Sequence, residues 1–189
     1  MKTLKISFLT LLASLFIVSC SSDDDNPDPV NEEEVITTLR LTLTPQGGGA
    51  NVVMLSQDLD GDGPNPPVVT NADLTAGVTY NGTVQVLNEL ETPAENITLE
   101  VAQEDDEHQF FYEFTGSANS SFAYADTDGN GDPVGITITL TAGTASTGNT
   151  LTVTLIHEPI KDAAGVSNGD ITNAGGETDV EVTFTYNVN

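Results

Sequence analysis

From Val35 onward, apolar residues alternate with threonine, asparagine and glutamate. Leu39, Leu41 and Leu43 are separated by Arg40 and Thr42. Val78, Tyr80, Val84 and Val86 share one face of a second segment. Ile136, Ile138 and Leu140 alternate with threonines, as do Leu151, Val153 and Leu155. Val180, Val182, Phe184, Tyr186 and Val188 form the longest run, and Val52 to Leu55 and Phe122 to Tyr124 are shorter ones. In His108-Gln109-Phe110-Phe111-Tyr112-Glu113-Phe114, the histidine shares a face with Phe110, Tyr112 and Phe114. A period of two with threonine on the outer positions marks half-buried antiparallel strands. About eight such strands, joined by Gly, Asn and Asp turns, predict an all-β fold, an antiparallel β-sandwich that is immunoglobulin-like in the broad sense.

One segment departs from this rhythm. Thr92-Pro93-Ala94-Glu95 offers a capping residue, proline at the first helical position, and glutamate three residues after the cap. This predicts a short helix over 93–104 with Ala94, Ile97 and Val101 on one face. Ile97, Leu99 and Val101 also alternate, so a strand is the competing reading.

The first residues follow different rules. A positive start, Met1 to Lys5, precedes an apolar run, Ile6 to Val18, broken only by Ser7, Thr10 and Ser14. This is the layout of a secretory signal, and the run is shorter than the roughly 20 residues needed to span a bilayer. Cys20 ends it and is the only cysteine, so the chain forms no internal disulfide. Residues 20–34 carry Asp23-Asp24-Asp25, Asn26-Pro27-Asp28-Pro29 and Glu32-Glu33-Glu34, which predicts an extended acidic tether. Residues 35–189 are then a single domain.

Charge narrows the partners. The chain has 29 acidic and 4 basic residues, a formal net charge of −25. Lys2 and Lys5 precede Cys20, leaving Arg40 and Lys161 after it. Such a surface repels phosphate backbones, which excludes nucleic acid, and attracts cations.

Two acidic loops repeat one layout. Asp58, Asp60 and Asp62 precede Gly63, and Asp126, Asp128, Asn130 and Asp132 surround Gly129 and Gly131. Alternating oxygens with a glycine match the opening of a calcium loop. The bidentate glutamate that completes an EF-hand would fall at Val69 or Thr137, so neither loop is one. Asp, Asn and Gly are also what hairpin turns use.

The two histidines, His108 and His157, each adjoin a glutamate, Glu107 and Glu158. His157 shares a face with Leu151, Val153 and Leu155, so each histidine ends a core-facing row. If those row ends meet, His108, His157, Glu107 and Glu158 are a candidate zinc or copper site. Otherwise they are two unrelated histidines at the rim. The chain contains no nucleophile elbow, zinc-protease helix motif, phosphate-binding loop or dinucleotide fingerprint. With no Trp, four Tyr and seven Phe, it is poorly supplied for a sugar-stacking cleft. These features predict a protein that is not an enzyme.

Ile17-Val18-Ser19-Cys20 resembles a bacterial lipobox. The resemblance implies that residues 1–19 are a lipoprotein signal peptide and that Cys20 is lipidated and anchors the chain to the outer membrane. Ser21 to Asp25 resembles the acidic export signal of Bacteroidota surface lipoproteins, which implies exposure at the cell surface; a linker facing the periplasm is the alternative. With Glu33-Glu34-Val35-Ile36-Thr37-Thr38-Leu39, the loop Asp58 to Pro67, Asn88-Glu89, Asp106 to Tyr112, His157-Glu158-Pro159 and Ala174 to Asp179, the chain is similar to a family of small flavobacterial lipoproteins. Members are often described as type 1 periplasmic binding fold proteins. That description implies a two-lobed α/β fold, and the strand pattern here departs from it. The expected function is a non-enzymatic, lipid-anchored surface protein that binds a ligand or metal ion and serves an outer-membrane transporter. The alternative is a structural or adhesive module whose acidic loops bind calcium.

Overall fold

A computed structural model describes residues 34–61 and 63–189. These form a β-sandwich of two antiparallel sheets. The strands are β1 (Thr38–Pro45), β2 (Val52–Gln57), β3 (Val68–Thr70), β4 (Thr79–Leu87), β5 (His108–Thr115), β6 (Ser121–Tyr124), β7 (Thr137–Thr141), β8 (Ser146–His157) and β9 (Glu177–Val188). The six-stranded sheet has the order β3-β2-β1-β4-β7-β6, and the three-stranded sheet the order β5-β8-β9.

The alternation dictates which face each strand buries. Leu39, Leu41 and Leu43 on β1 meet Val84 and Val86 on β4 and Ile138 and Leu140 on β7 in one cluster. Phe110, Tyr112, Leu151, Val153, Leu155, Phe184 and Tyr186 close it from the smaller sheet. Each fully buried side chain of this size contributes about 1.5–3 kcal/mol, and no disulfide supplements that sum.

The smaller sheet is covered on both faces, which is why β5 and β8 each contain a run of buried residues instead of alternating. Phe111 and Ile156 point away from the main core and pack with Val166 and Ala174. The last two belong to the excursion between β8 and β9, which includes short 3-10 turns at Val166–Asn168 and Ile171–Asn173. The free edge of β5 is also occupied. Phe110 donates its N–H to the Val134 carbonyl at 2.7 Å, and the Tyr112 hydroxyl donates to the Gly135 carbonyl at 2.6 Å.

Helix α1 spans Ile97–Val101, shorter than the predicted 93–104 and starting four residues later. The capping box at Thr92 does not form. Asn88 and Glu95 instead exchange backbone hydrogen bonds, which turns the intervening residues into a loop. The Thr92-Pro93 peptide bond there is cis. Ile97 and Val101 are buried as expected, whereas Ala94 is exposed. The Thr98 hydroxyl fastens the helix to β4, accepting from the Val86 N–H at 2.8 Å.

The second acidic loop has a mechanical role. Asp128 accepts the N–H groups of Asn130 and Asp132, both at 2.9 Å, and the ammonium of Lys161 at 3.0 Å. Lys161 is buried and also donates to the Pro133 carbonyl at 3.1 Å and to the carbonyl of Asp105. It thereby ties the β8–β9 excursion to the loop and to the approach to β5. Burial opposes ionisation of Asp128, but Lys161 and the two N–H groups outweigh it and hold the carboxyl below the usual range.

Because the folded pKa is depressed, this contribution is present above the unfolded carboxylate range and disappears as pH falls through the folded value. Lys161→Ala should therefore cost about 3 kcal/mol at neutral pH, the scale for breaking a buried pair. Urea unfolding should show that gap narrowing in acid. A loss under about 1 kcal/mol, the scale of exposed pairs, would mean that the pair is not a fastening.

Candidate metal centre

His108 is the first residue of β5 and His157 the last of β8. The antiparallel register sets them directly opposite each other. Glu158 donates its N–H to the Glu107 carbonyl at 2.6 Å, while the Phe110 N–H points away from β8 to Val134. The histidine pair is therefore of the non-hydrogen-bonded kind, in which opposed side chains approach most closely. The two imidazoles stack with ring centroids 4.6 Å apart and planes 18° apart. The two row ends, whose meeting the sequence left open, do meet.

Two further carboxylates converge on them. Glu34 Oε1 lies 3.0 Å from His108 Nε2, and Asp179 Oδ2 lies 3.9 Å from the same nitrogen. All four groups are shielded: side-chain exposure is 0% for His108, 10% for His157, 7% for Glu34 and 1% for Asp179. Each offers one ligand atom, and these four atoms lie within 4.8 Å of one another. Glu34 Oε2 and His157 Nδ1 are buried without hydrogen-bond partners among the described residues.

Backbone irregularities place the two acids. On β9, Val180 pairs with Leu155 and Thr178 with Ile156, so Asp179 is the extra residue of a β-bulge. A bulge turns two successive side chains toward the same side, and this one adds Asp179 to the inward row led by Val180. Glu34 is held by the residues after it: Thr37 donates its N–H to the Leu87 carbonyl at 2.9 Å, and Asp58 donates its N–H to the Thr37 carbonyl at 2.7 Å.

The polarity of His108 is fixed from behind. Its Nδ1 sits 3.1 Å from the Glu104 carbonyl. A carbonyl only accepts, so Nδ1 carries the proton and Nε2 turns toward the two carboxylates. This backing by a carbonyl is the usual outer support of a metal-binding imidazole. The local field is strongly negative. Glu100, on α1, is raised above its ordinary value first by its partial burial and then by Glu104, Glu34 and Glu95, with His108 acting in the opposite direction.

Glu107 and Glu158, the acids foreseen beside the histidines, form a separate outer group with His157. Both are exposed, and Glu107 Oε2 is 3.9 Å from His157 Nε2. Glu158 has φ of +51°, uncommon for a non-glycine residue. Gly176 runs so close that a Cβ there would lie 2.2 Å from the His157 carbonyl oxygen, which only glycine permits.

Glu34 and Asp179 are the residues that sequence reasoning missed. Glu34 closes a run of three acids and reads as tether. Counting back from Val180 by twos puts Asp179 outside, and only the bulge brings it in.

The acidic loops carry no comparable cluster among the described residues. Asp126 spends both oxygens on the N–H groups of Gly135 and Thr137, at 2.7 Å each, and Asp128 is occupied as described above. Asn130 and Asp132 supply N–H groups to Asp128, which is turn chemistry. In the first loop Asp58 accepts the Asp60 N–H, and Asp60 is held below the ordinary carboxyl range chiefly by the side chain of Asn65. Asp62 and Cys20 lie outside the described residues.

No protein-family model matches the chain, and neither curated proteins nor solved structures yielded a match. The reading of the site therefore rests on its geometry.

Two imidazoles and two carboxylates are a donor set suited to zinc and its neighbours. Bonds of about 2.0–2.2 Å keep two ligands of one ion within about 4.4 Å of each other. Four ligands on a tetrahedron sit closer, about 3.3–3.6 Å apart, so atoms up to 4.8 Å apart would have to draw in by about 1 Å on binding.

Proposed function

We propose that this protein is a non-enzymatic, lipid-anchored metal-ion-binding protein of the outer membrane. The observation that carries this reading is the convergence of Glu34, His108, His157 and Asp179 on one shielded point. A divalent cation held with two neutral imidazoles would balance the charge of the two shielded carboxylates. A four-ligand set leaves no coordination position for a substrate, which favours retention over catalysis. Zinc is the ion the set suits best, with copper next. The lipobox-like Ile17 to Cys20 supports an anchor at Cys20, and the acidic run after it supports display on the outer face. An outer-membrane transporter is the partner such a carrier would serve.

Native mass spectrometry of the purified protein with zinc, copper and calcium tests the ion. One zinc or copper should be retained, and His108→Ala and His157→Ala should each abolish retention. Failure of the wild-type protein to hold either metal at micromolar concentration would remove the proposal. Display has its own test. Protease added to intact cells should digest the domain, and complete protection would place it on the periplasmic side.

A further inference from the structure

His157 belongs to two ligand groups at once. Inward it joins Glu34, His108 and Asp179, and outward it joins Glu107 and Glu158, with ligand atoms within 4.8 Å in each group. The two groups differ in access. The inner acids are 7% and 1% exposed, whereas Glu107 is 53% exposed and Glu158 is also at the surface. His157 is the residue between them, with Nε2 3.9 Å from Glu107 and Nδ1 buried without a hydrogen-bond partner. A hydrated dication cannot enter the inner group without shedding water, and shedding is easiest where replacement ligands arrive one at a time.

We infer that Glu107, His157 and Glu158 form an outer loading site for a divalent metal ion, which His157 then passes to the inner group. This rests on the metal-binding reading above. The outer carboxylates attract the hydrated ion and displace part of its water. His108, Glu34 and Asp179 then replace Glu107 and Glu158 as the ion moves from the outward Nε2 edge of the His157 ring to its buried Nδ1 edge. No bond is made or broken apart from metal–ligand exchange, and no redox change occurs. Three backbone features hold the outer acids in place. The 107–158 hydrogen bond fixes their spacing, the positive φ of Glu158 sets its direction, and Gly176 admits the start of β9 beside them.

Stopped-flow mixing of the full-length protein with zinc, followed by a chromophoric zinc indicator, separates loading from holding. The double variant Glu107→Gln/Glu158→Gln should slow zinc association about tenfold, in line with the loss of local electrostatic capture. A control pair with the same charge change, Glu91→Gln/Glu113→Gln, should stay within about twofold of wild type if general surface charge is not the cause. Asp179→Asn should instead speed zinc release, as expected for an inner ligand. Association as fast in the Glu107/Glu158 variant as in the control pair would overturn the loading site while leaving the inner site standing. Absence of zinc retention by the wild-type protein would overturn both.

Discussion

The register of one antiparallel pair decides what this molecule can do. His108 and His157 are far apart in sequence and meet because β5 and β8 are paired so that they fall opposite each other. A shift by one residue would send one imidazole to the opposite face and dissolve the pair. The register is held on both faces of the sheet. Phe110, Tyr112, Val153 and Leu155 are fixed by the main core, and Phe111 and Ile156 by the β8–β9 excursion. Lys161 fastens that excursion through Asp128 and two carbonyls. The acidic turn that looks like a calcium loop thus supports the site from a distance.

Around the histidines, acidic groups predominate. Glu34 and Asp179 are removed from water beside an imidazole whose other nitrogen is committed to a carbonyl. Desolvating a carboxylate costs several kcal/mol unless a positive charge compensates. Among the described residues, positive charge there comes from the histidines when protonated or from a bound cation. A divalent ion with two neutral imidazoles and two carboxylates is electrically balanced, and it also gives the buried oxygen of Glu34 and the buried nitrogen of His157 something to bind.

Sequence reasoning reached the strands because their chemistry is local. Alternating leucines and valines with threonine between them leave little choice, and eight of the nine strands follow from that pattern. Strand β3 was missed because Val68-Val69-Thr70 is short and exposed at a sheet edge, where no alternation is imposed. The helix start was misplaced because the Asn88–Glu95 pairing overrides the capping preference of Thr92. Although its closure was left open, the histidine site was legible because both residues sit in phase with apolar rows. Its carboxylates were not. Neighbours in sequence suggested Glu107 and Glu158, but adjacent strand residues point to opposite faces, which leaves those two at the outer rim. Asp179 needed a bulge, and bulges leave little trace in composition. Glu34 needed the pairing that places the residues just after it, in which Thr37 finds Leu87 across the sheet.

X-ray absorption spectroscopy at the zinc edge of the zinc-loaded protein tests the central claim most directly. The account predicts four light-atom ligands at about 2.0–2.1 Å, with outer-shell scattering from two imidazoles. One or no imidazole in the first shell, or a shell of six oxygens characteristic of a hydrated ion at an acidic surface, would contradict it.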